Sequence, residues 1–531
     1  MTQPLRCAPI RHLSSRAVGL ALLASCTVYN TPKVSELPRP ATADSVAVAS
    51  PVKAHLLDGS TVVYRTGALI AHDTIRSAGR KVAYRYNLTL ADSAPVDALP
   101  LDSVVGMEAF RNSVNGPATA ALTVVSVAGT ALGLGLAAVA IFGSCPTFYA
   151  DTGGVPVLEA EGFSYSIAPL FEGRDVDRLR THADAVGDVR LEVRNEALET
   201  HYINQLGLLD VRHARDELVV PDAGGRPLAL RRVEAPASAR DRAGRDLRTT
   251  LLEADGRVFS TDSGVVDRVT AADQDDFIDL EFARPTGVDT VALVFRMRNS
   301  LLNTVLLYEL MLAAPGAKSL DWVGQELEEI GPAARLGRWY AGRMGMHVLV
   351  RDGEENAWRD VGRVPDTGPI AWKDVAVPVP VPPRGGDSLR IRLRFVADDW
   401  RIDRIQLALG VRRAPARELA PAEVLGAEGA PDTAARASLD APDQRYLMTS
   451  PGQRFEVRFA TGPAPVDSAR TFLLVSQGYY IEWIRAAWVR GRHQPSTFEP
   501  SDQALVEALR RWHTERADYE RRFAESRIPV R

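Results

Sequence analysis

The chain is poor in cysteine. Cys7, Cys26 and Cys145 are all that its 531 residues contain. Three cysteines cannot build a disulfide framework, and none belongs to a Cys-x-x-Cys pair. No HExxH, GxSxG or Walker-type loop occurs, so zinc-protease, hydrolase-elbow and P-loop chemistry have no local signature. The nine histidines are scattered. His201 and His213 lie too far apart for a local metal pair, and neither a metal nor a cofactor is expected. Basic excess is lacking too: the formal net charge is −4, with no Lys/Arg cluster interleaved with aromatics. That excludes nucleic acid as a partner. The rest is ordinary globular composition, 46% hydrophobic and 24% charged, at a length that implies about three or four domains.

Residues 1–26 read MTQPLRCAPIRHLSSRAVGLALLASC. Three arginines precede a short apolar run, Ala17 to Ala24, followed by small residues, which is the grammar of an export signal. The run is too short to span a bilayer as a helix. Leu23-Ala24-Ser25-Cys26 resembles the bacterial lipobox, which implies removal of residues 1–25 and diacylation of the Cys26 thiol. Each buried CH₂ of an acyl chain contributes about 0.8 kcal/mol, so two or three chains anchor stably. Residues 26–45 are polar and contain proline, and read as a tether. The expected setting is the bacterial cell envelope, membrane-anchored on the periplasmic side or at the outer membrane.

A second address signal lies within the chain. No charge occurs from Asn112 to Ala150, and Ala118 to Phe142 is a 25-residue apolar run, long enough for a hydrocarbon core of about 30 Å. It includes Leu122, Gly129, Gly133, Gly135 and Phe142. Small residues at four-residue spacing let helices approach closely in lipid, and the central glycines equally suit the bend of a helical hairpin. A single crossing would put everything after Pro146 on the opposite side from Cys26. Residues 111–146 are therefore read as a membrane-associated helix or re-entrant hairpin reinforcing the lipid. A true span with a cytoplasmic β region is the alternative, and a buried core helix the third reading.

The remaining chain predicts a mainly β fold. Residues 46–110 hold short strands around an Asp58-Gly59 hairpin turn, and resemble small Sm-like or SH3-like barrels. Residues 147–315 read as a central β domain that ends in a helix over Asn299 to Leu312. Residues 316–415 open with a helical stretch, then read as a sandwich. Prolines in VPVPVPP confine that run to an edge or an extended connection. Ala/Pro-rich residues 416–442 read as a linker or long loop. Residues 443–531 supply further strands and a C-terminal amphipathic helix with Leu505, Leu509, Trp512, Tyr519 and Phe523 on one face.

The stretch after the apolar run carries a resemblance. Ser144, Cys145, Pro146 and Tyr149, then Arg194, Asn195, Glu196, Glu199, Thr200 and Tyr202, resemble a group of bacterial lipoproteins and envelope proteins without an established activity. These share a Ser-Cys-Pro-x-x-Tyr start after an apolar stretch and an Arg-Asn-Glu-x-x-Glu-Thr-x-Tyr segment. The likeness spans roughly residues 45 to 320 and implies the membrane setting and architecture only.

Three features are candidate sites. Cys145 has no charged residue within several positions to activate its thiol, so a buried structural cysteine is expected. Asp273, Asp275, Asp276 and Asp279 lack EF-hand spacing and read as solvated turn charge rather than a calcium site. Trp358, Trp372 and Trp400 would suit a carbohydrate-stacking platform on the 345–410 sandwich, although a core Trp is equally expected there. The function expected is that of a non-enzymatic scaffold or binding protein presenting β domains at the membrane surface. Lipid, other envelope proteins or glycans are its partners. A carbohydrate-recognising or carbohydrate-processing protein is the alternative.

Overall fold

The computed structural model describes residues 45–71, 73–84, 90–110, 145–351, 357–383, 386–443, 445–490 and 501–530. Cys26, the apolar residues Leu122, Gly129, Gly133, Gly135 and Phe142, and Ser144 lie outside them. The fold is mainly β, with strands set by alternation of apolar and polar residues. In Asp275–Ala283, every second side chain from Asp276 to Phe282 is buried and the intervening ones are half-buried.

The first unit is a small barrel-like antiparallel sheet of strands between Ser45 and Ala109. The expected hairpin joins Val52–Leu56 to Thr61–Tyr64. Gly59 adopts φ 79° at its tip, and Ser60 N donates to Asp58 Oδ1 at 2.9 Å. One edge, strand Val104–Ala109, is extended by Ile484–Arg485 from the far end of the chain.

Two sandwiches follow, one inside the other. The central sandwich packs a sheet containing Thr147–Asp151, Pro156–Glu161, Asp188–Arg194 and Arg454–Ala460 against a sheet built on Glu199–His213 and Ala469–Glu482. Phe148, Leu191, Leu208, Phe459 and Phe472 fill the space between them. Glu199–His213 also pairs with Ala416–Leu419. The strands between these two form the second sandwich, whose core holds Phe282, Phe295, Val348, Ile391, Trp400 and Ile402. Lys373–Pro380, which carries Pro378 and Pro380, ends the order of its sheet and pairs with Thr290–Asn299. Lys373 reaches back to Asp177 of the central sandwich at 3.1 Å, and a small apolar cluster including Val211, Val219 and Val475 seals the joint.

A helical layer interrupts the second sandwich between Thr290–Asn299 and Met346–Arg351. Helix α1 starts at Leu302–Thr304 and continues as a π-helix over Val305–Ala313. Helices α2 (Ser319–Gly324) and α3 (Ile330–Arg343) follow. The layer shares one core with the barrel-like sheet and with the C-terminal helix: Val52, Tyr64, Leu306, Trp322, Leu509 and Trp512 all belong to it. Residues 316–343, grouped above with the sandwich that follows, are thus an insertion within it. Residues 416–442, expected as a linker or loop, carry Ala416–Leu419, Glu423–Leu425 and helix α4 (Thr433–Leu439), capped by Asp432. Their Ala/Pro composition conceals short paired strands.

Helix α5 (Ala486–Arg490) is short. Helix α6 (Asp502–Glu525) is the amphipathic helix expected, with Ser501 as its cap and Leu505, Leu509, Trp512 and Tyr519 buried. Trp512 Nε1 donates to Asp398 Oδ2 at 2.7 Å, fixing the helix to the second sandwich. Among the described residues no helix is long and apolar enough to cross a membrane.

Candidate functional site

The motif residues gather at one end of the central sandwich, where they fasten backbone and neighbouring units. Asn195 Nδ2 donates to the carbonyls of Glu199 (2.9 Å) and Thr449 (3.0 Å), closing the turn between two strands of facing sheets. Glu196 Oε2 accepts from Tyr149 OH at 2.7 Å and Thr147 Oγ1 at 2.9 Å. The Arg194 guanidinium lies 4.0 Å from the centre of the Tyr149 ring. Thr200 and Tyr202 reach the barrel-like sheet. Tyr202 OH donates to Glu108 Oε1 at 2.8 Å and Thr200 Oγ1 to Glu108 Oε2 at 3.2 Å. Lys53 Nζ (3.3 Å) and His55 Nε2 (3.2 Å) complete the set around Glu108. His55 stacks on Trp483 with ring centres 3.7 Å apart. Burial alone would raise the Glu108 carboxyl; the Lys53 charge and the hydrogen bonds from His55 and Tyr202 outweigh it and hold the group at about 2. These residues make a polar clamp between two units.

Where the central sandwich, the helical layer and the second sandwich meet, they enclose a partly open cavity of about 540 Å³. Such junctions are a usual place for ligands. The central sandwich contributes Cys145, Ser164 and Tyr480; the helices contribute Leu307, Leu336, Tyr340 and Met344; the second sandwich contributes Arg363, Asp366 and Ile370. The π-helical turn carrying Leu307 and Tyr308 forms one wall, and π-helical segments recur at functional sites. Asn299 positions the loop that holds Asp366: its Oδ1 accepts from Thr367 N at 2.7 Å and Thr367 Oγ1 at 3.0 Å. The Arg363 guanidinium packs directly against Gly345, in the space a Cβ there would take.

The walls are largely apolar, with polar side chains such as Asn299, Asn303 and Asp366 among them. Asp366 accepts from Asn303 Nδ2 and from Gly368 N at 2.9 Å. Among the described residues, Asn303 Oδ1, Arg363 Nε and Ser164 Oγ are buried atoms with no hydrogen-bond partner. Behind the wall, Glu161 Oε2 accepts from the backbone N–H of Ile370 and Ala371, each at 2.5 Å. Burial lifts the Glu161 carboxyl to about 8, against the pull of Lys373. Burial likewise lifts Glu199 and Glu482 to about 8, and Tyr308 OH donates to Glu482 Oε2 at 2.7 Å. Asp366 and Asp399 are raised by burial too, Asp399 further by the Asp366 charge. The cavity is therefore backed by carboxyl groups that resist ionisation.

Cys145 opens onto this cavity at 5% exposure. Burial first, then the Glu199 and Glu161 charges, push its thiol well above the usual range, so the thiolate needed for nucleophilic attack is disfavoured. Asp273 closes the exposed turn that begins at Thr270, whereas Asp275, Asp276 and Asp279 lie along the strand Asp275–Ala283 rather than in a turn. Asp273 pairs with Arg242, Asp275 with Arg343 and Asp279 with Arg392, each within 2.7 Å; Asp276 is buried. No cluster able to hold a metal ion occurs among the described residues. The three tryptophans are not brought onto one face. Trp400 is fully buried between the sheets of the second sandwich. Trp358 lies on the edge strand Trp358–Val364 under Arg392 (4.6 Å), and Trp372 lies beside Arg298 (4.9 Å).

The cavity residues Ser164, Asn303, Arg363 and Asp366 were not singled out in the sequence. They come from three separated segments and share no spacing. The sole local hint is Asp366-Thr-Gly, a turn-forming triplet whose Gly368 adopts φ 83°.

No protein-family model matches the sequence, and no match is found among curated proteins. Three solved structures share parts of the chain's course. They are a GH31 alpha-xylosidase from Xanthomonas citri (9% identity, 82% of this chain and 38% of that chain, TM-score 0.14), infectious bursal disease virus Gx strain (7%, 72% and 82%, 0.15) and the secreted serine protease VesC from Vibrio cholerae (7%, 70% and 99%, 0.14). The chain thus spans well under half of the xylosidase. Likeness at this level carries no inference about what the chain does.

Proposed function

We propose that this chain is a lipid-anchored, non-enzymatic binding protein of the bacterial cell envelope. Cys26 and the apolar segment 118–142 hold it at the membrane, and the β units stand off the surface on the tether. The observation that carries the binding role is the cavity, a largely apolar space at the junction of three units with polar side chains among its lining. The groups around it suit holding a molecule better than reacting with one: the Cys145 thiol is kept protonated, and burial holds Glu161, whose Oε2 is taken by two backbone donors, against ionisation.

Two measurements on the full chain test this. Mass analysis of the mature N-terminus, with accessibility mapping in intact cells, is expected to find acylated Cys26 and a C-terminal region sealed from cytoplasmic probes. An unprocessed N-terminus, or labelling from the cytoplasm alone, overturns the location. Organic extraction of the protein purified from its own membranes is expected to release a small molecule that is lost in Ala341→Trp, a variant that narrows the cavity from its exposed rim. Extracts that do not differ between the two proteins overturn the binding role.

A further inference from the structure

We propose that a single proton shared by Glu199 and Glu482 locks the helical wall of the cavity, and that the wall opens when this proton leaves. Such a lock operates whether or not a ligand is bound.

Glu199 and Glu482 stand directly opposite one another on paired antiparallel strands, so their side chains share a face of the sheet. Both are buried, at 1% and 5% exposure. Two carboxylates so placed would repel one another. Instead the two groups hydrogen-bond to each other, which requires a proton on one of them. Charge counting agrees. Glu482 Oε1 accepts from Arg485 Nη1; two carboxylates against that one guanidinium leave one negative charge in excess, and one proton removes it. His201 has the contacts of a neutral ring, with Nε2 donating to Glu199 Oε1 (2.7 Å) and Nδ1 facing the Thr449 hydroxyl (3.3 Å). The Tyr308 and Tyr480 phenols and the Cys145 thiol, which also face the pair, are raised by burial and stay neutral. Glu161, the other carboxyl acting on Cys145, is likewise held against ionisation.

Tyr308 ties the pair to the cavity. It lines the cavity, and its hydroxyl donates to Glu482 Oε2 at 2.7 Å. The Arg485 guanidinium lies 5.3 Å from the centre of the same ring. Tyr308 belongs to the π-helical part of helix α1, Val305–Ala313, so the pair holds that turn in place from behind. Tyr480 and Cys145 also line the cavity. A second negative charge on the pair therefore gains water by displacing this wall. Burial holds both carboxyls at about 8, against an ordinary 4.5 once the wall is open. The closed form thus keeps one proton more than the open form between these values. Its advantage is complete in acid, below 4.5, and is lost as pH rises through 8.

The test is hydrogen exchange of the full chain between about pH 5.5 and 9, corrected for intrinsic rates and followed on peptides covering residues 302–313. Opening that releases one proton should become about tenfold easier per pH unit up to about pH 8 and level off beyond it. Glu199→Gln supplies the shared hydrogen permanently, and its profile over the same peptides should be flat. Tyr308→Phe cuts the tie instead: the pH dependence should persist in peptides covering 478–482 and vanish from 302–313. A parent profile without slope, or a slope undiminished in Glu199→Gln, overturns the shared proton. A slope in 302–313 that survives Tyr308→Phe overturns its hold on the wall. Should Glu199→Gln fail to fold, the parent and Tyr308→Phe decide between the same outcomes.

Discussion

Glu108 is the pivot of the clamp between the barrel-like sheet and the central sandwich, and its removal should be felt locally. Its carboxyl is 1% exposed and is held at about 2, against an ordinary 4.5. That difference corresponds to on the order of 3 kcal/mol of stabilisation by Lys53, His55 and Tyr202. A carboxyl depressed in the folded state stabilises above its unfolded value and ceases to do so as pH falls. The contribution should therefore be complete above pH 4.5 and disappear as pH approaches 2. His55 adds to this on the acid side: burial, opposed by Glu108, keeps its ring more neutral than in the unfolded chain, so its contribution declines as pH falls below 6.5. Glu108→Gln keeps the shape, removes the charge facing Lys53 and turns an amide donor toward groups that already donate. A chain of several units has no single unfolding free energy, so the assay is hydrogen exchange of peptides spanning 52–56 and 104–109. We expect on the order of 3 kcal/mol less protection in the variant near neutral pH, and loss of the acid dependence seen in the parent. Equal protection in both proteins, or a parent whose protection does not change between pH 5 and 3 after correction for intrinsic rates, would refute the reasoning.

Glu482 behaves in the opposite sense. Its carboxyl is raised to about 8 by burial, so its own contribution to stability is complete below pH 4.5 and is lost as pH rises through 8; thermal melting of Glu482→Gln should be less sensitive over that range than melting of the parent. Trp400→Ala opens a void between the sheets of the second sandwich and should cost about 3–5 kcal/mol in local exchange protection there. A near-neutral effect would mean that the ring is not the core residue its full burial indicates. Trp512→Phe leaves Asp398 short of a buried donor and should cost about 1–3 kcal/mol in protection of 502–525; unchanged exchange would show that the hydrogen bond does not hold the helix.

What could be read from the sequence was local. The Asp58-Gly59 turn and the apolar stripe of helix α6 depend on neighbours within a few residues, and each formed where its pattern stands. Trp400 was also legible in principle: with Ile402 it keeps the period-two alternation of a buried strand face, a stronger signal for core than for a platform. The nesting of one sandwich inside another was not legible. It rests on Glu199–His213 pairing with residues 416–419 and 469–482, and nothing in either pattern says how far away its partner is. Residues 416–442 misled because Ala and Pro dominate a segment whose strands are only three or four residues long. The cavity was invisible for the same reason, since Ser164, Asn303, Arg363 and Asp366 are each unremarkable in their own surroundings.

The late return of the chain to its first sheet has a consequence for biosynthesis. Strand Val104–Ala109 is made early, yet its open edge is covered only when Ile484–Arg485 arrives more than three hundred residues later. Until then the nascent chain carries an unpaired edge, the kind of surface that recruits strands from other chains. The central sandwich has the same handicap, because Glu199–His213 must wait for Ala469–Glu482 while a whole second sandwich is synthesised between them. Contacts of such long range close slowly. The second sandwich, whose own sheets lie within residues 218–413, is the part able to mature first. Folding should thus proceed from the middle of the chain outward, and the interval before its two ends meet is when the protein most needs a holding chaperone.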